Sequence, residues 1–252
     1  MVDHEEVLTG GNVAAEVVRV GQTVHKPVTT ATPAVAALLQ HLKASGFDGS
    51  PEHLGLDENG RQIVEYIPGV MADQLAPLDL AELHRLGRMI RRLHDAAETF
   101  QAPPGARWDV VIPPDRDELV CHHDLAPWNL VRDGDRWVFI DWDGAGPGSR
   151  LWDLAYAAHG FVGMHHDGDP AVDGPRLRSL IDGYGLNEDQ RRQLPGLITA
   201  HVRGMYDLLH DGHTTGQQPW ARLWAEGHGD HWGPAADYIN RNTHLWTAAL
   251  LS

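Results

Sequence analysis

A single cysteine, Cys121, in 252 residues excludes any disulfide within the chain and fits a reducing compartment. No stretch reaches the ~20 apolar residues that a membrane-spanning helix needs. The first residues, with Asp3, Glu5 and Glu6, offer neither the basic flank nor the apolar run of a signal peptide, so the cytoplasm is the expected setting. Basic residues are scarce: 20 Lys and Arg against 35 Asp and Glu give a net charge of −15. That balance disfavours nucleic acid as a partner and suits a cationic ligand, besides aiding solubility. Internal repeats and low-complexity tracts are also missing. What is present is 42% hydrophobic content, enough to build one large domain or two smaller lobes.

The first sixty-odd residues read as short strands and one helix. Strands are expected at 6–9, 15–20 and 23–28, with turns at Gly10-Gly11 and Gly21-Gln22. Pro33 opens a helix over residues 34–44, whose apolar positions Val35, Leu38, Leu39 and Leu42 keep helical spacing until Gly46. Strands at 53–56 and 62–66 follow, joined by a polar turn. After Ile67-Pro68-Gly69 the pattern becomes helical: Leu80, Leu83, Leu86, Ile90, Leu93 and Ala97 define an amphipathic helix that Asp79 can cap. Residues 102–115 read as loop and 119–121 as a brief strand. Asp133-Gly134 marks a hairpin between strands at 129–131 and 137–140, and helices dominate from Trp152 onward.

The densest chemistry lies in Val120-Cys121-His122-His123-Asp124-Leu125-Ala126-Pro127-Trp128-Asn129, followed twelve residues later by Asp141-Trp142-Asp143. Phosphoryl transfer asks a protein to place a nucleophile in line and to neutralise charge. Asp124 is suited to accept a hydrogen bond from a substrate hydroxyl, and Asn129, five residues on, can return to the same site to offer an oxygen to Mg²⁺. Pro127 prevents a regular helix between them. Asp141 ends the apolar run Trp137-Val138-Phe139-Ile140, which anchors its backbone in a sheet. Mg²⁺ takes one or two such protein oxygens when phosphates supply others.

His122-x-Asp124-x₄-Asn129 followed by Ile140-Asp141-Trp142-Asp143 resembles the catalytic and metal-binding motifs of the aminoglycoside phosphotransferase and choline kinase group, small-molecule relatives of the protein kinases. The resemblance implies an α+β, protein-kinase-like two-lobed fold. Residues 1–67 would form an N-terminal β-rich nucleotide-binding lobe, and 68–252 a mostly helical lobe for catalysis and acceptor binding. It implies transfer of the γ-phosphoryl group of ATP, with GTP as a possible donor, to a hydroxyl of a small molecule with Mg²⁺ as cofactor. In that scheme Asp124 is catalytic, Asn129 and Asp141 hold the metal, Lys26 binds nucleotide phosphates and the backbone of Gly10, Gly11 and Asn12 covers them. Glu65, Tyr66 and Ile67 form the hinge that hydrogen-bonds adenine, while His122 and Asp153 support the catalytic loop. Asp143, His123, Trp224, Glu226, His228 and Asp230 are the expected acceptor contacts.

Two departures stand out. Residues 34–44 carry no acid to pair with Lys26, so another carboxylate, such as Glu16, would have to steady it. Position 123 is His where the group commonly has Gly, which would set a bulky ring beside the nucleophile. Protein kinases place a Lys two residues after the catalytic Asp, whereas this chain has Ala126 and no Ala-Pro-Glu, so a protein substrate is not expected. The acceptor expected is an aminoglycoside or other antibiotic, with choline or another amino alcohol as the alternative. A metal-dependent phosphohydrolase using His122, His123 and Asp124 as ligands is a reading of another class, and a non-catalytic nucleotide-binding protein a third. The pairs His210/His213 and His228/His231 and the run His165-His166-Asp167 suggest zinc. With 17 histidines such pairings arise by chance, and structural zinc needs four converging ligands. Trp220, Trp224, Trp232 and Trp246 could stack on a sugar or ring, but helix-spaced aromatics more often fill a core, the better fit for Trp246.

Overall fold

The computed structural model describes residues 5–8 and 17–252. Gly10, Gly11, Asn12 and Glu16, expected near the nucleotide, lie outside the described residues. Five antiparallel strands, β1 (Glu5–Leu8), β2 (Val17–Val20), β3 (Thr23–Lys26), β4 (His53–Leu56) and β5 (Gln62–Glu65), form a sheet in the order β1-β2-β3-β5-β4. β3 stops at Lys26, two residues before the expected end, because Pro27 has no N–H to donate to a ladder. Side chains alternate along β3, so His25 and Lys26 face opposite sides of the sheet. His25 Nδ1 lies 2.9 Å from Asp57 Oδ2, and Arg61 closes the network from Asp57 to Glu5.

Helix α1 (Thr32–Ala44) begins earlier than the apolar pattern alone implies. The Thr32 hydroxyl accepts the Thr29 N–H at 2.8 Å, and Pro33 occupies the first turn, where its missing N–H costs nothing. The helix buries Val35, Leu38, Leu39 and Leu42. After residues 66–69 the chain passes into β6 (Val70–Met71), which joins β8 (Leu130–Asp133) and β9 (Arg136–Phe139) in a three-stranded sheet. The β8–β9 turn sits one residue later than expected. Asp133 pairs with Arg136, leaving Gly134 at φ 52° and Asp135 as the turn, since the first position of a primed turn requires a positive φ.

Helix α2 (Leu80–Ala97) is capped by Asp79, whose carboxylate accepts the Glu82 N–H while Glu82 returns to the Asp79 N–H. Its buried stripe of Leu83, Leu86, Gly87, Ile90, Leu93, His94 and Ala97 packs against α4 (Pro170–Tyr184). The long α5 (Glu188–Thr215) is the spine of the helical part, contacting α3 (Arg150–Val162), α6 (Trp220–Ala225), α7 (Gly229–Arg241) and α8 (Thr243–Leu251). No helix among the described residues is long and apolar enough to cross a membrane.

The α2–α4 contact brings the two backbones together at Gly87 and Gly183. A Cβ on Gly87 would stand 2.0 Å from the Leu180 carbonyl oxygen, and one on Gly183 2.0 Å from that of His84. Helix propensity favours Ala over Gly by about 1 kcal/mol, whereas forcing backbones apart in a packed core costs about 1–3 kcal/mol or more. Gly87→Ala is therefore expected to destabilise the protein by about 2 kcal/mol in urea unfolding; a stabilised variant would contradict this crossing.

The interior also holds histidines that must stay neutral. His201 on α5 is stacked on Tyr156 and packed against Trp152, and its burial, with His123 nearby, holds its pKa down to about 3. In the unfolded chain the ring titrates near 6.5, so its stabilising effect is complete above that pH and is lost as pH falls from 6.5 toward 3. Between pH 7.5 and 5 this group alone should cost about 2 kcal/mol of stability, read as a lower urea midpoint at pH 5. An unchanged midpoint would place the ring in water.

Candidate active site

Strand β7 (Leu119–Cys121) pairs with β10 (Gly146–Gly148), and the loop after β7 carries His122, His123 and Asp124. The Asp153 carboxylate, fully buried in the first turn of α3, fixes that turn. It accepts the His122 N–H at 3.1 Å and the His123 N–H at 2.8 Å, with His94 Nε2 3.1 Å away. Burial alone would raise its pKa, but the His94 hydrogen bond and neighbouring imidazoles outweigh it and hold the carboxyl at about 2. The His122 ring is an internal brace. Its Nδ1 accepts the Asp124 N–H at 3.2 Å, which leaves Nε2 as the N–H donated to the Ile140 carbonyl at 3.1 Å. Burial lowers its pKa and favours this neutral form.

Backbone position 123 has φ 66°, a left-handed conformation that glycine adopts freely and histidine does not. Glycine, which the motif resemblance implies at this position, would adopt it without strain. The His123 ring does not stand beside the nucleophile as expected: Nε2 turns back to the carbonyls of Gly146 and Pro147 at 3.1 and 3.0 Å. With both rings engaged this way, His122 and His123 do not form the metal-ligand set of a phosphohydrolase.

Asp124 follows at the floor of the cleft. Residues Pro127–Asn129 form one tight helical turn, which carries Asn129 back toward Asp124. Asn129 Nδ2 donates to Asp124 Oδ2 at 2.8 Å and to the Asp124 carbonyl at 3.1 Å. Both amide hydrogens are thus committed, and Oδ1 is the atom left to face a cation. Burial, together with the charge of Asp141, raises the Asp124 carboxyl to about 6, against hydrogen bonds from Asn129 and the Tyr156 hydroxyl.

Opposite lies Asp141, with φ 60° and ψ 64°. Few side chains tolerate this region, Asp being one, and the bend points a half-exposed carboxylate into the cleft. The single helical turn Trp142–Gly144 then sets Asp143 beside it. Lys26 Nζ lies 2.8 Å from Asp143 Oδ2 and 3.6 Å from Asp141 Oδ1. Asp143, expected at the acceptor, instead holds Lys26, supplying the acid that α1 lacks. The cleft therefore presents three carboxylates and one amide oxygen suited to a hard cation, with one ammonium suited to phosphate.

The remaining expected residues are not gathered here. Trp224 stacks on His213 with ring centres 5.5 Å apart, Glu226 pairs with Arg222 at 2.9 Å, and His228 Nε2 lies 4.0 Å from Glu226 Oε2. Asp230, in the first turn of α7, is placed to favour the helix dipole. At the hinge, the Tyr66 N–H donates to the Gln22 carbonyl and its ring lies under Arg19, so this N–H is not available to a purine. The Glu65 carboxylate pairs with Arg136, and Ile67 is buried. Missed from sequence were Tyr156 beside Asp124, and His201 and Trp232, whose rings stack on Tyr156 at 4.7 and 6.3 Å between centres. One signal was available: Tyr156 is three residues after Asp153, on the same helix face.

The model of the phosphotransferase enzyme family matches residues 105–194, the segment that carries this loop and Asp153. The chain is 33% identical over 240 residues to the trifolitoxin immunity protein of Rhizobium leguminosarum bv. trifolii, covering 89% of this chain and 91% of the relative. Among solved structures, an amicoumacin kinase in complex with AMP-PNP, Ca²⁺ and Ami superimposes with a TM-score of 0.69 at 13% identity, covering 94% of this chain and 88% of that one. A choline/ethanolamine kinase family protein from Mesorhizobium loti does so with 0.63 at 17% identity, covering 99% and 92%. These two likenesses are of fold, a kinase-like β lobe joined to a helical part. The family match over the loop, with the immunity-protein relative along most of the chain, shows that the chain belongs to the phosphotransferase enzyme family.

Proposed function

We propose that the protein transfers the γ-phosphoryl group of ATP to a hydroxyl of a small antibiotic or toxin, as a device of resistance or self-protection. The observation that carries the reading is the Asp124–Asn129 pair, placed across from Asp141 and Lys26 in one cleft. Asp124 receives the acceptor hydroxyl and takes its proton as the oxygen attacks phosphorus. Asn129 keeps Asp124 oriented through its amide hydrogens. The free Oδ1 of Asn129 and the half-exposed Asp141 carboxylate fit Mg²⁺ by their chemistry. Bound there, the ion would neutralise phosphate charge as it shifts to the leaving nucleotide. Lys26 binds nucleotide phosphates, and Asp143 positions Lys26. The antibiotic or toxin acceptor is supported by the immunity role in the name of the 33% identical relative and by the acidic balance, which suits a cationic acceptor.

A coupled ADP-release screen over aminoglycosides, other hydroxylated antibiotics and toxins, choline and amino alcohols tests this directly. Turnover confined to choline or amino alcohols would overturn the antibiotic assignment. Asp124→Asn is expected to lower kcat by roughly 10²–10⁴ while nucleotide still binds, and unchanged turnover would remove Asp124 from its role. Lys26→Ala and Asp143→Ala should both raise the nucleotide KM, by about tenfold or more, with little change in the acceptor KM. If Asp143→Ala acted on the acceptor KM instead, that residue would belong to the acceptor side after all.

A further inference from the structure

Three histidines from three separate elements meet in space away from Asp124 and Asp141. His159 lies in the last turn of α3, His165 in the connection to α4, and His231 in the first turn of α7. Their ring centres are 6.0 Å apart for His159 and His165, 5.6 Å for His159 and His231, and 5.0 Å for His165 and His231. A triangle of these sides has a point about 3.2 Å from each ring centre. An imidazole bound to Zn²⁺ through a bond of about 2.0–2.1 Å puts its own ring centre about that far from the metal.

A second observation points to a ligand. His159 is 2% exposed, and its buried Nδ1 has no hydrogen-bond partner among the described residues. A polar nitrogen left that way is unfavourable in an interior unless something fills it. Burial and the neighbouring imidazoles lower the pKa of both His159 and His231, favouring the neutral ligand form. The Asp167 carboxylate acts on His231 from the α3–α4 connection.

As the side chains stand, the three rings do not all aim a nitrogen at the common point. Turning about χ2, open to the exposed His165 and the half-buried His231, is required. The group of possible metal ligands that already converges among the described residues is His94, Cys121 and Asp153. Its polar atoms are engaged in holding the catalytic loop, with His94 Nδ1 2.8 Å from the Tyr184 hydroxyl and both Asp153 oxygens accepting backbone N–H groups.

We propose that His159, His165 and His231 form a three-imidazole site for a divalent transition metal of the zinc class, with the fourth position left to water or to Asp167. The site clips α7 to the end of α3. It adjoins the catalytic centre through Trp232, whose ring lies 5.0 Å from His159 and 6.3 Å from Tyr156, and it does not depend on the nature of the phosphoryl acceptor.

The test is calorimetric titration of chelator-stripped full-length protein with Zn²⁺ in excess Mg²⁺, paired with the visible absorption of Co²⁺. One equivalent of Zn²⁺ should bind with micromolar or tighter affinity, raise the melting temperature and give the Co²⁺ bands of a tetrahedral nitrogen-rich site. His165→Ala and His231→Ala, at positions open enough to spare the fold, should each weaken binding by at least ~100-fold with an unchanged circular dichroism spectrum. Asp141→Ala and His213→Ala should leave zinc affinity as it was. Absence of stoichiometric binding, millimolar affinity, or binding that survives His165→Ala and His231→Ala but falls with Asp141→Ala would each overturn the proposal.

Discussion

The structure depends on one buried carboxylate. Asp153 has no exposure to solvent and takes the N–H groups of His122 and His123, with His94 against its other side. An ionised carboxylate so placed is tolerable only because all its partners are supplied, and removing any one would leave a charge or a backbone donor unsatisfied in the interior. The bonds join three elements, α2 through His94, α3 through Asp153 and the loop after β7. The position of Asp124, two residues beyond His122, follows from that junction rather than from local preference. The left-handed backbone at His123 is held in the same way, by a partner that overrides the strain.

From this junction the site divides into two sides. On one, Asp141 and Asp143 flank Lys26 and leave an oxygen-rich wall with a single ammonium. On the other, Tyr156 reaches Asp124 and stands in an aromatic stack with His201 and Trp232. Under the proposed function the first side would take phosphate and cation and the second would face the acceptor. Small-molecule phosphotransferases need both, since phosphoryl transfer rests on placing the hydroxyl and balancing charge more than on covalent chemistry. The histidine trio lies behind the second side and shares Trp232 with it.

Much of this was legible in the residues. The capping box at Asp79 and Glu82, the apolar stripe of α2 and the loop carrying Asp124 and Asn129 are local patterns, in which neighbours in sequence are neighbours in space. The β8–β9 turn was off by one residue because Asp133-Gly134 and Gly134-Asp135 are both acceptable turn pairs, and only the pairing of Asp133 with Arg136 chooses between them. The sequence puts Asp143 two residues from Asp141 but gives no direction for its side chain. The bend at Asp141 turns it toward Lys26, 117 residues away. Histidines close in sequence suggest one set of pairings, yet the fold gathers His159, His165 and His231 from three separate elements.

The sequence by itself determined the chemical parts and their order: an acid and an amide five residues apart in a loop that Pro127 keeps from becoming helix, then an acid at a strand end. It also determined the segments, because apolar periodicity and caps act within a few residues. Only the tertiary structure decided which acid meets which partner, that Tyr156 reaches Asp124 with Trp232 stacked behind it, and that Gly87 and Gly183 let two helices touch. Those outcomes turn on side-chain direction and on contacts between distant elements, and neither is encoded in spacing along the chain.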